Sequence, residues 1–195
     1  MDDPTDRDPE RRREPRKPKP PRKVSPRYLE NAALHYLKRY AATVSQLKRV
    51  MMRRVDRSVK FHGTDRAEAV GWVDALAEKL IRNGLINDRT YAETRVHSLR
   101  ASGRSARVIT QKLRMKGVAP ELVQEKLAEA TQDVPEDAAA RIWARKKRLG
   151  PFRRDPSTRE EHRKKDLAAL ARAGFSFAIA KRVIDGTADD LPPRD

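Results

Sequence analysis

An all-α fold of tandem three-helix repeats is predicted, about nine helices in an elongated, curved arrangement with disordered termini. Three observations predict it. Apolar residues recur at steps of three and four almost everywhere between the ends, and β-branched alternation of the strand kind is missing. Ser, Thr, Asn and Asp precede these stretches and Gly follows them, the punctuation of helix starts and stops. Hydrophobic residues are only 37% and aromatics 5% of the 195 residues, which suits several small cores better than one large one.

Residues 1–26 are dense in Pro, Arg and Lys with almost no apolar side chains, so burial cannot offset chain entropy and a disordered basic tail is expected. The first module is placed at residues 27–86. Its first helix carries Leu29, Ala33, Leu37 and Tyr40 on one apolar face. Thr43 and Gln46 have capping-box spacing, which starts a second helix burying Leu47, Val50 and Met51. Asp65 and Glu68 repeat that spacing before a third, with Val70, Val73, Leu76 or Ala77, and Leu80 inward. Gly84 ends it, since glycine takes the left-handed conformation without a Cβ clash.

The second module is placed at residues 87–133. Asn87 or Asp88 caps a helix with Ala92, Val96 and Leu99 that stops near Gly103. Ser105 opens the next, with Ile109 and Leu113 inward and Gly117 at its close. Pro120 suits the first position of the third, where its missing N–H would have been unpaired anyway, and Leu122, Val123 and Leu127 form its stripe. The third module, residues 134–186, has a helix from Glu136 to about Arg148 with Ile142 and Trp143. After the loop Gly150-Pro151-Phe152 come a helix with Leu167, Leu170 and Ala171, ending at Gly174, and one capped by Ser176 with Ala180, Val183 and Ile184. Residues 187–195 read as a flexible tail.

An internal repeat supports the grouping. Lys112 to Val118 aligns with Ala169 to Phe175, and past each glycine Val118, Val123 and Leu127 match Phe175, Ala180 and Ile184 at equal offsets. The register extends loosely to Leu47 to Arg53, where no glycine follows. Ordinary helix-turn-helix punctuation would produce some coincidence of this kind. The length of the match favours a string of similar modules.

The net charge of +17 points to a polyanionic partner, because Lys and Arg near phosphates release counterions. No apolar run approaches the roughly 20 residues needed to span a bilayer, and no signal-peptide stretch is present, so no membrane is expected and the cytoplasm is the expected location. The cations come in three blocks. The first helices, second helices and connecting loops of the modules carry Lys48, Arg49, Arg53 and Arg54; then Arg95, Arg104, Arg107, Lys112, Arg114 and Lys116; then Arg145, Lys146, Lys147, Arg148, Arg153, Arg154, Lys164 and Lys165. Between Glu93 and Glu121 there is no acid at all. A solvated face is the common explanation of a charge run, but such faces mix signs. Three like-signed blocks in register suggest a positive track that contacts phosphates. Tyr36, Tyr40, Tyr91 and Trp143 are read as core, so sequence readout of bases is not expected.

Catalytic chemistry is not expected. With no cysteine, and with His35, His62, His97 and His162 far apart, no metal-ligand spacing arises. No Gly-rich loop cradles a phosphate, and carboxylates such as Asp65, Glu136 and Asp137 suit helix starts. No catalytic residue, cofactor, metal or small-molecule ligand is expected.

From about Tyr28 to Ile184 the chain resembles the RecX regulatory family. Three stretches carry the resemblance: Ala33 to Tyr40 followed by Gln46-Leu47; Leu80 through Gly84-Leu85-Ile86-Asn87-Asp88 to Tyr91-Ala92; and Gly103-Arg104-Ser105, then Ile109, Leu113 and Lys116-Gly117-Val118. The basic loop Gly150 to Arg154 is an addition to the family pattern. The resemblance implies a monomeric, non-enzymatic regulator in the cytoplasm. Such a protein lies in the groove of the RecA filament on single-stranded DNA, with double-stranded DNA a further partner. It would inhibit strand exchange, ATP hydrolysis and co-protease activity in DNA repair and the SOS response. The other reading is a general DNA- or RNA-binding architectural protein with no RecA target.

Overall fold

Nine α-helices and two short 3-10 turns, with no strand, account for the regular structure of residues 20–188, the part of the chain that the computed structural model describes. The first module holds α1 (Pro26–Leu37), α2 (Val44–His62) and α3 (Arg66–Arg82). The second holds α4 (Asp88–Ala101), α5 (Ala106–Met115) and α6 (Pro120–Asp133). The third holds α7 (Glu136–Lys147), α8 (Arg159–Arg172) and α9 (Phe177–Asp185), with the 3-10 turns Gly150–Phe152 and Pro156–Thr158 between α7 and α8.

Local chemistry fixes the boundaries. The side chains of Thr43, Asp65, Asn87, Ser105 and Ser176 each accept a backbone N–H in the first turn of the helix that follows, satisfying donors left unpaired at a helix start. Leu85, Arg104, Val118 and Phe175 donate N–H bonds back to Leu80, Leu99, Leu113 and Leu170 across a left-handed glycine. That is the helix stop expected of Gly84, Gly103, Gly117 and Gly174.

Each module has its own core. Leu29, Leu47, Met51, Val55, Val73 and Leu80 fill the first; Val96, Ile109, Leu113 and Val123 the second; Leu170, Phe175, Val183 and Ile184 the third. The helix pairs in most extensive contact all lie within modules. Small separate cores are what a low apolar content permits.

Several expectations are corrected. The expected disordered tail of residues 1–26 reaches too far. Residues 1–19 lie outside the described part, but Val24 is buried in the first core and its N–H bonds the Ser58 hydroxyl at 3.0 Å. The α1 helix stops at Leu37, so Tyr40 lies past its end and is 56% exposed, not core. In α7 the buried residues are Ala139, Ala140 and Ala144, whereas Ile142 and Trp143 are only half-buried. Small side chains let that helix pack closely, and periodicity weighted toward large residues misses this. Val70 is half-buried and Ala69 takes its place inward, while Ala171 is exposed and Asp166 faces in.

The repeat holds, but its first copy is displaced. The α2 helix runs past Arg53 to His62, and the glycine equivalent to Gly117 and Gly174 is Gly63, left-handed with φ +63°. Residues Val59 to Gly63, not Leu47 to Arg53, are therefore the matching register.

Candidate nucleic-acid interface

Two junctions join the three modules, and they use the same chemistry. At the first, the Thr43 hydroxyl accepts from the Gln46 N–H at 3.0 Å and donates to the Lys116 carbonyl at the end of α5. Asp88, the first residue of α4, accepts from the Val44 N–H at 2.8 Å. Gly117 lies so close to α2 that a Cβ there would stand 2.4 Å from the Ser45 side chain. At the second, the Ser105 hydroxyl accepts from the Val108 N–H at 3.4 Å and donates to the Ala173 carbonyl at the end of α8, at 2.7 Å. Glu136, the first residue of α7, accepts from the Ala106 N–H at 3.1 Å. A Cβ on Gly174 would fall 2.5 Å from the Ser105 Oγ.

Each cap hydroxyl thus serves two helices, taking an N–H from its own start and giving its proton to the end of the next module's helix. The second helices meet end to end, α8 into α5 into α2, with their dipoles head to tail. Their combined rise is roughly 65 Å at about 1.5 Å per residue. Gly63 has nothing within 4 Å of the place its Cβ would take, since no described module packs on that end.

The second junction adds a buried arginine. Arg100 is 1% exposed; its Nε donates to the Val134 carbonyl at 2.8 Å and its Nη1 to the Glu136 carboxylate. Arg100 therefore leaves the acid-free basic stretch and becomes internal structure.

Many of the sequence-predicted cations gather on the column of second helices. Lys48, Arg49, Arg53 and Arg54 are on α2; Arg107, Lys112 and Arg114 are on α5, with Lys116 its C-cap; Lys164 and Lys165 are on α8. Arg49 reaches across the first junction to the Met115 carbonyl at 3.3 Å. Lys48 pairs with Asp74 at 2.8 Å, and Arg54 donates to the Tyr28 hydroxyl at 3.1 Å. Arg57, not singled out in the sequence, joins Val50, Arg53 and Arg54 around a shallow groove. A count of helix phase from Arg53 would have found it. Arg107, Lys112, Arg114, Lys116, Lys164 and Lys165 are exposed.

The rest lie elsewhere. Arg95, on α4, shares a cleft with Lys116. Arg104, Lys146 and Lys147 surround the second junction: Arg104 and Lys147 lie 4.4 and 5.4 Å from the Trp143 ring centroid, and Lys146 donates to the Ser102 carbonyl at 2.9 Å. Arg145, Arg148 and Arg154 are exposed on α7 and the segments after it.

Arg153 is a structural residue. Its guanidinium grips Asp166 with two bonds of 2.8 and 2.7 Å, and Asp166 also accepts from the Gly150 N–H at 2.8 Å. Burial pushes the Asp166 carboxyl up, but the Arg153 fork and the Gly150 N–H outweigh it and hold the group below its ordinary value. Its folded value being depressed, the stabilisation is present above the ordinary aspartate value of about 3.9 and is lost as pH falls through the folded value. Melting followed from about pH 6 to about pH 2 is expected to show a loss of stability below about pH 4 that is shallower in Asp166→Asn. Equal slopes would show that the pair does not govern acid stability.

Among the described residues, no group of three or more His, Asp or Glu is placed to hold a metal ion, and no helix is long and apolar enough to cross a membrane.

The family model for the RecX second three-helix domain matches residues 87–127. The chain is 73% identical over 162 residues to the regulatory protein RecX of Myxococcus xanthus, covering 83% of this chain and 87% of that protein. It is 34% identical over 164 residues to the regulatory protein RecX of Agrobacterium fabrum, covering 84% and 85%. The crystal structure of RecX from Lactobacillus salivarius has a similar fold, with a TM-score of 0.59 at 24% identity, over 82% of this chain and 94% of that one. A second crystal structure, of a regulatory protein RecX, gives 0.56 at 22% identity, over 83% and 72%.

Proposed function

The chain belongs to the RecX family of regulatory proteins, and from that premise we propose that it binds the RecA–DNA filament and modulates RecA, mainly by inhibition. The activities affected are recombination, ATP hydrolysis and co-protease function in DNA repair and the SOS response. The observation that carries this reading is the end-to-end column of second helices, held by two chemically equivalent junctions. A nucleoprotein filament presents the same surface at regular steps. Like modules joined in like fashion meet such a surface with several contacts, each weak and all linked at high effective concentration. The cations on the column supply phosphate contacts, which position the chain without reading sequence. The chain acts as a monomer in the cytoplasm and is not an enzyme.

The test is RecA-dependent ATP turnover on single-stranded DNA. Inhibition is expected at ratios far below one chain per RecA protomer, whereas inhibition only at DNA-saturating amounts would favour a general nucleic-acid binder. A second measurement addresses the charges. Changing Arg107, Lys112, Arg114 and Lys116 together to Gln is expected to weaken single-strand binding by about tenfold or more and to flatten its log–log salt slope by about 1 to 3. Inhibition should fall with it. Full activity in that variant would mean that the middle module's charge is incidental.

A further inference from the structure

The two junctions share their capping chemistry, so each is a control for the other, and beyond the buried Arg100 of the second they differ in the space beside them. Between the first and second modules an open cleft of about 770 Å³ remains, its walls including Tyr36, Tyr40, Tyr91, Arg39, Arg95 and Lys116. At the second junction Trp143 stands at the same offset from Glu136 as Arg95 from Asp88, and Arg104 lies over its ring at 4.4 Å. That junction stacks a cation of one module on an aromatic of the next. The first has the same two kinds of group, with tyrosines on the first module and Arg95 on the second, left apart around free space.

We propose that this cleft takes an unstacked nucleotide of single-stranded DNA, its base against Tyr40 and its phosphates on Arg39, Arg95 and Lys116. The inference rests on the DNA contact proposed above and assigns it a second, base-stacking component. Tyr40 stacks on Tyr36 with centroids 5.1 Å apart and planes tilted by 38°, and it is 56% exposed, so ring surface remains for a further partner. Tyr36 is held in place by the Gln46 amide, which donates to its hydroxyl at 2.9 Å. No carboxylate lines the cleft, and the nearby Asp88 is engaged by the Val44 N–H. The volume lies within the range of about 300–1,000 Å³ usual for ligand sites. An aromatic platform bordered by cations is how proteins hold single strands without regard to sequence, whereas the bases of a duplex stay stacked and paired out of reach. Lys116 closes α5 where it meets α2, so a strand tracking the second helices passes the cleft mouth.

The experiment compares binding of the full chain to a short oligothymidylate and to an abasic strand of equal length and charge. The wild-type chain is expected to prefer the strand with bases by about tenfold, within the range one stacked base supplies. Tyr40→Ala should remove that preference while leaving abasic binding and its salt slope unchanged, and Tyr40→Trp should retain it. A 2-aminopurine in the strand should be quenched on binding by the wild-type chain and not by Tyr40→Ala. Equal affinity for the two strands, or a preference that survives Tyr40→Ala, would overturn the cleft while leaving the phosphate track standing. Binding to neither strand would overturn the DNA contact itself. If Tyr40→Ala weakened inhibition of RecA ATP turnover with DNA preference intact, the cleft would be a protein site and the proposal would fail.

Discussion

Glu136→Ala is expected to destabilise the chain by about 3–5 kcal/mol, an effect in the range measured when one member of a buried ion pair is removed. Arg100 is 1% exposed, and Glu136 is its only carboxylate partner among the described residues. Without that carboxylate a guanidinium stays desolvated among the carbonyls of Val134 and Arg104, with no negative charge to balance it. The Ala106 N–H at the start of α5 loses its acceptor as well. Glu136→Gln, which keeps an oxygen but not the charge, should fall between. The contrast is Glu125→Ala: the Arg89–Glu125 pair has side chains 57% and 41% exposed, and losing a solvent-screened pair should cost far less than breaking Arg100–Glu136. Urea denaturation of the three variants checks the ranking. A loss below about 1 kcal/mol for Glu136→Ala would show that Arg100 finds water or another partner when the pair is broken.

Gly117→Ala is the second. Its φ of +80° is a conformation that costs a residue with a Cβ about 1–3 kcal/mol, and a Cβ there would meet the Ser45 side chain at 2.4 Å. Overpacking of that kind adds about 1–3 kcal/mol or forces the modules apart. Gly63→Ala separates the two contributions, because Gly63 shares the left-handed backbone but has open space around its Cβ position. The expected result is a loss for Gly117→Ala exceeding that for Gly63→Ala by at least about 1 kcal/mol. It should be accompanied by weaker protection of the Val44 N–H, which Asp88 holds across the same junction, in hydrogen exchange. Equal losses would mean that the junction yields at little cost.

The helix boundaries were legible because they depend on short-range chemistry. Thr43, Asp65, Ser105 and Ser176 announce starts through their own side chains, and Gly84, Gly117 and Gly174 announce stops through their backbone freedom. The first copy of the repeat was misplaced because α2 is longer than α5, and a search at fixed offsets does not anticipate extra turns. Ala139, Ala140 and Ala144 escaped because burial of small residues depends on how closely a neighbour approaches, which periodicity does not record. The candidate site was half legible. Charge runs identify which segments are basic, and the second-helix cations do share one column. Long-range pairing was hidden: nothing near Arg153 in sequence signals Asp166, and nothing near Arg100 signals Glu136. Tyr40 looked like core because helical spacing placed it on the face of Leu29, Ala33 and Leu37, and only the early end of α1 turns it outward.

The middle module alone carries both halves of the connector: a hydroxyl at Ser105 that reaches forward and a glycine at Gly117 that receives from behind. The outer modules each have one half, since Thr158 makes no capping bond at the start of α8 and Gly63 meets nothing. The length of the column is therefore a matter of copy number. Duplicating residues 87–133 in tandem would lengthen that column by one more unit through contacts the protein already possesses.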